Sequence, residues 1–90
     1  MPRPPRCRRI CGAPQVDTFC PSRCEDTEPI LLTLDEYETI RLVDLEQQTH
    51  EQCAVQMDIS RSTVQEIYES ARRKIAACLV HGKPLHITGG

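Results

Sequence analysis

Three runs of the chain place apolar residues at helical spacing, and each is announced by a residue suited to cap a helix. In the first, Leu34, Tyr37, Ile40 and Val43, joined by Leu42 and Leu45, make a broad apolar surface. Thr33 and Glu36 stand at capping-box spacing before it, and Leu32 and Tyr37 are set for a hydrophobic staple. The second run begins at about His50, after Thr49 and with Gln52 three residues on, and carries Cys53, Ala54 and Met57 on one face. It is expected to stop at Asp58, a residue type that tolerates left-handed backbone. Ser60 caps the third run, with Ile59 and Val64 placed as a staple; Val64, Ile67, Tyr68, Ala71, Ile75 and Leu79 then form one buried stripe. Gly82 ends that helix at the C′ position. Beyond it Leu85, His86, Ile87 and Thr88 alternate as a short strand would, with Arg8 to Cys11 as its expected partner.

The fold class that follows is mainly α: a three-helix bundle with a helix-turn-helix, an extended basic N-terminal arm, a Cys-rich loop and a short C-terminal strand. Residues 1–31 form the arm and Cys-rich segment, 32–82 the helical domain and 83–90 the tail. A short second helix, a three-residue turn and a long third helix with a polar leading edge are how a chain presents a helix to the DNA major groove. The buried stripe of the third helix leaves Arg61, Ser62, Gln65, Glu69, Arg72 and Arg73 for solvent or a ligand.

The run SRSTVQEIYESARRKIAACL, residues 60–79, resembles the recognition-helix segment of sigma-factor region 4 and related helix-turn-helix regulators. Together with MPRPPRCRRIC at the start, LTLDEYETIRLVDLE at 32–46 and HGKPLHITGG at the end, it resembles the domain of unknown function 134 family, small prokaryotic proteins predicted to bind DNA. The resemblance covers most of the chain outside roughly residues 15–30 and implies a DNA-binding fold rather than a physiological role. Two positions depart from it: Asp58 occupies the turn where Gly is frequent, and Gln47 stands where a Gly after the first helix would be usual.

Charge sharpens the reading. The net charge is only −2, yet residues 1–16, 17–58 and 59–90 carry +4, −9 and +3 respectively. Both terminal segments are basic and the middle is acidic, a polarity suited to one DNA-facing side with the acids turned away; ordinary charge segregation on a small domain is the alternative. Pro2, Pro4 and Pro5 bias the N-terminal arm toward polyproline geometry, and Arg3, Arg6, Arg8 and Arg9 line it with cations suited to a minor groove or the phosphates. A soluble terminus without a role is the other reading. Candidate base contacts are Arg61, Ser62, Thr63 and Gln65, with Arg matched to guanine, Gln to adenine and hydroxyls to either base or phosphate; Thr63 can equally be taken up in the local cap. Thr49, Arg72, Arg73 and Lys74 join the arm arginines as candidate backbone contacts, although the last three lie far along a helix of about 30 Å. A homodimer is expected because one small recognition helix reads few bases; no heptad seam marks it.

Cys7, Cys11, Cys20 and Cys24 form two C-x3-C pairs separated by eight residues. Four thiolates can close a tetrahedral site, for which zinc is the default ion; metal-free reduced thiols, an iron–sulfur cluster and a redox disulfide are the alternatives. Cys53 and Cys78 instead sit on or near apolar helix faces, where a cysteine usually serves as a small core residue. His50, His81 and His86 have no Cys partner at ligand spacing.

Ninety residues with three aromatics, Phe19, Tyr37 and Tyr68, make one domain with a small core, for which an added staple is useful. No apolar run approaches the roughly 20 residues of a membrane span, and no apolar segment follows the basic N-terminus as in a secretory signal, so no membrane association and a cytoplasmic location are expected. In that compartment six cysteines are not a disulfide framework. Nothing resembles a phosphate-binding glycine loop or a nucleophile–base order, and Asp35, Glu36 and Glu38 read as favourable charge in a first helical turn, so no enzyme is expected. Two rival functions remain. One is a sigma-like accessory protein contacting RNA polymerase through the acidic surface of residues 25–51; the other is a metal or redox sensor in which the N-terminal cysteines gate DNA binding.

Overall fold

A computed structural model describes residues 14–23 and 28–89. The order is β1 (Thr18–Phe19), β2 (Ile30–Thr33), α1 (Leu34–Ile40) with a π-helical continuation over Arg41–Leu45, α2 (His50–Met57), α3 (Arg61–His81) and β3 (Leu85–Thr88). The described residues are therefore mainly α, three helices against a small three-stranded sheet.

Local chemistry sets the helix starts. At α1 the Thr33 hydroxyl accepts from Glu36 N–H at 3.2 Å while the Glu36 carboxylate accepts from Thr33 N–H at 2.9 Å, a complete capping box. Thr49 and Gln52 repeat it at α2, at 3.1 and 2.9 Å. Ser60 caps α3 by accepting from Thr63 N–H at 3.2 Å. Asp58 (φ 61°) and Gly82 (φ 63°) end α2 and α3 in the left-handed region, and Gln47 (φ 60°) adopts the same geometry after the first helix. These are the positions where the sequence asks for such backbone.

The first helix changes pitch at Arg41, where Glu46 N–H reaches back five residues to Arg41 O at 3.0 Å and Gln48 N–H reaches Leu42 O at 2.9 Å. The wider turn holds Leu42 fully inside and turns Leu45 out to 75% exposure, so Leu45 is not part of the expected apolar surface. Leu79 is also corrected: it is 80% exposed, because the stripe on α3 is covered only where α1, α2 and the sheet lie over it.

The core has two parts. Leu42, Cys53, Ala54, Met57 and Val64 pack where the first helix, α2 and α3 meet, with Val43 and Ile59 against them. Leu32, Ala71 and Ile87 pack where α1 and α3 meet the sheet, with Leu34, Tyr37, Ile40 and Leu85 around them. Of the residues expected as staples, Ile59 packs against the cluster that holds Val64, and Tyr37 against the one that holds Leu32.

The strand at Leu85–Thr88 is present, and among the described residues it has two partners that the sequence did not mark. It is central, antiparallel to β1 with Thr18 opposite His86, and parallel to β2 with Leu32 opposite Ile87. The expected partner, Arg8 to Cys11, lies outside the described residues.

Candidate nucleic-acid interface

The leading turns of α3 are set by the turn before them. Asp58 in left-handed geometry sends the chain from α2 to Ile59, which is held by Ile59 N–H to Ala54 O at 3.0 Å and by the helical core cluster. Val64 is fully buried in that cluster, so α3 is fixed in rotation with Arg61, Ser62 and Gln65 exposed. The Gln65 amide donates to Glu69 at 3.2 Å, one turn along the same face. Thr63 is half-buried and its hydroxyl lies 2.7 Å from that of Ser60, which ties it into the cap. Thr49 is exposed at the start of α2; its hydroxyl accepts from Gln52 N–H and keeps its own hydrogen to donate.

The three basic residues in the middle of α3 have different settings. Arg73 is exposed. Arg72 lies over the Tyr68 ring at 5.3 Å, donates to the Tyr68 hydroxyl at 3.0 Å and sits 3.7 Å from Asp44. Lys74 turns to α1 and contacts Glu36 at 2.8 Å. Of the other proposed contacts, Arg3, Arg6, Arg8 and Arg9 lie outside the described residues, as do Cys7, Cys11 and Cys24. Cys20 is exposed just after β1, and no group of three or more metal-ligating side chains occurs among the described residues. Cys53 is buried and its thiol is pushed up by burial and then by the nearby Glu38 charge; burial likewise raises Cys78, against the opposing charge of Lys83. Raised thiols of this kind suit packing rather than metal or redox chemistry.

The sequence shows Glu36 as a capping residue but not that the fold buries Glu36 and Glu38. Glu36, in the first turn of α1 as expected, is 5% exposed, and Glu38, two residues further along, is 1% exposed. Glu38 receives both Nε and one terminal nitrogen of Arg41, at 2.9 and 2.8 Å, and Arg41 also reaches Glu46. Glu36 accepts from Lys74, Ser70 and Thr33 N–H. Burial alone pushes the Glu36 carboxyl up, but the hydrogen bonds from Lys74, Ser70 and Thr33 together hold it below its ordinary value. A surface cluster was also missed: the Tyr68 hydroxyl donates to Asp44 at 2.7 Å, and His50 meets the Tyr68 ring edge-on at 5.1 Å. The acceptor at Asp44, followed by burial, raises the Tyr68 phenol. A signal did exist, since a tyrosine within an apolar stripe needs somewhere to place its hydroxyl.

No helix among the described residues is long and apolar enough to cross a membrane. The chain belongs to the family described as "Protein of unknown function DUF134", which matches residues 1–90. It is 49% identical over 92 residues to a UPF0251 protein of Desulfitobacterium hafniense strain Y51, covering 100% of this chain and 74% of that relative. A UPF0251 protein of Caldicellulosiruptor saccharolyticus is 49% identical over 90 residues, covering 100% of this chain and 64% of the relative. One from Clostridium botulinum strain Hall is 44% identical over 93 residues, covering 100% and 59%. No solved structure matches the chain.

Proposed function

We propose that this member of the DUF134 family is a sequence-specific DNA-binding protein, a transcriptional regulator in which α2, the turn through Asp58 and α3 act as a helix-turn-helix. The observation that carries the reading is the exposure of Arg61, Ser62 and Gln65 at the N-terminal end of a helix whose other side is buried by Val64 and Ala71. Arg61 and Gln65 are four residues apart, hence neighbours on one face. A guanidinium there suits guanine O6 and N7, an amide suits adenine N6 and N7, and Ser62 suits a base edge or phosphate. Thr63, bonded to Ser60, holds the cap rather than reaching for a base.

In this scheme Thr49 and Arg73, both exposed, meet phosphates, and the positive end of α3 adds to the attraction. Arg72 joins them only by exchanging Asp44 for a phosphate, and Lys74 only by leaving Glu36. The basic arm, with Arg3, Arg6, Arg8 and Arg9, supplies further backbone or minor-groove contacts in this scheme. Cys7, Cys11, Cys20 and Cys24 would hold zinc as a staple for a small core, leaving no thiolate open for chemistry. The polymerase-contact alternative is weakened because two carboxylates of its acidic surface, Glu36 and Glu38, are spent inside the protein.

The test is selection of bound duplexes from a random pool at fixed, stated salt. A recovered motif whose affinity falls steeply with salt is the expected outcome. Recovery of unenriched sequence, together with capture of RNA polymerase, overturns the reading in favour of a polymerase partner.

A further inference from the structure

The third helix outruns the body it packs on. It has 21 residues, but its buried residues are Val64 and Ala71, and past Ile75 Ala76, Leu79 and Val80 are exposed, Leu79 to 80% and Val80 to 77%, while Ala77 and Cys78 stay half-buried. Two grooves flank this end, one of about 420 Å³ against Phe19 and Leu85 and one of about 640 Å³ against Ile40 and Ala76. Ile75 and Leu79 line both. Four residues apart, they form a ridge with a groove on each side, the relief by which helices pack on one another.

We propose that a second copy of this chain occupies this surface, the two α3 helices crossing antiparallel about a two-fold axis near Ala76. A single patch that contains both the ridge and a groove to receive it is self-complementary, as a two-fold interface requires. Ala76 is exposed at the middle of the patch, where a small side chain lets two helices approach closely. Charge selects both the occupant and its direction. Antiparallel crossing at Ala76 brings the exposed Glu69 of one copy toward Lys83 of the other, and sets Arg72 and Arg73 beside the partner's last helical turn, where the carbonyl end of the dipole is negative. A parallel pair would instead stack the arginines on each other. The assembly does not depend on the DNA-binding reading, and its test contains no DNA.

Sedimentation velocity of the full chain up to about 100 μM should show a concentration-dependent dimer. Leu79→Glu and Ala76→Glu, both at exposed positions, should sediment as monomers with unchanged helical circular dichroism. Glu69→Lys and Lys83→Glu should each weaken the dimer about tenfold or more, and the double reversal should recover it. A wild-type chain that stays monomeric, or a dimer indifferent to both glutamate substitutions, overturns the proposal. Charge reversals that weaken singly and fail to recover together overturn the antiparallel arrangement.

Discussion

Lys74 and Glu36, 38 positions apart in sequence, meet at 2.8 Å and fasten α3 to the capping box that starts α1. One Glu36 oxygen serves both the Thr33 N–H and the Lys74 ammonium, and the other accepts from Ser70. The local signal that begins a helix is thereby joined to the packing of a distant one. A basic side chain in the middle of α3 is committed to the fold.

That junction makes stability depend on pH. The Glu36 carboxyl is held below its ordinary value of 4.5, so its contribution is fully present above 4.5 and is lost as pH falls through the lower folded value. Lys74→Met leaves burial less opposed and raises the folded value, so thermal melts followed against pH should lose stability from a higher pH than wild type. At neutral pH the substitution is expected to cost about 1.5–3 kcal/mol by denaturant unfolding, the range for a hydrogen bond to a charged group, since Thr33 N–H and Ser70 still serve the carboxylate. Identical acid limbs in the two proteins would show that the pair is a surface decoration.

For DNA reading, Arg61→Ala and Gln65→Ala should each lose about 1–3 kcal/mol on the selected site and relax base preference at different positions. Arg73→Ala should weaken all sequences alike and reduce the salt slope by about one unit. Deleting Met1 to Arg6 removes two arginines, Arg3 and Arg6, and should lower the slope without loss of helix. Titrations of matched and mismatched duplexes at fixed salt measure all of these. If Arg61→Ala and Gln65→Ala fold normally and keep full specificity, the groove-reading scheme fails.

Gln47, exposed after the first helix, holds φ at 60°. A left-handed residue with a Cβ costs about 1–2 kcal/mol, partly offset in glycine by the greater freedom of its unfolded chain. Gln47→Gly is therefore expected to stabilise the protein by about 0.5–1 kcal/mol in urea unfolding. Gly82→Ala, at φ 63° with open space around the added carbon, should destabilise by a similar amount through backbone strain alone.

Protein purified without added metal should carry about one zinc per chain by elemental analysis. Cys20→Ser with Cys24→Ser should lose it and melt at a lower temperature. Equal, negligible metal in both proteins ends the zinc proposal and leaves those cysteines without an assigned role.

The helix limits were written in the sequence because their causes span only a few residues. A threonine hydroxyl and the side chain three positions on satisfy two backbone donors wherever the chain is placed, so Thr33 and Thr49 declare two starts, and the Ser60 hydroxyl, which satisfies one donor, declares the third. Asp58 and Gly82 declare two ends by the same local reasoning. The exposed edge at Arg61 and Gln65 was legible too, since a buried stripe at helical spacing implies what lies opposite it. Partnership was not legible. Apolar spacing treats Leu79 and Ala71 alike, and only the reach of α1 and the sheet decides that Ala71 is covered and Leu79 is not. An acidic residue early in a helix looks like solvent-facing charge until Lys74 arrives from α3 and Arg41 folds over Glu38. Likewise Leu85–Thr88 announced a strand by alternation, while its neighbours came from Thr18–Phe19 and Ile30–Thr33, because backbone hydrogen bonds name no partner and the tertiary fold must supply one.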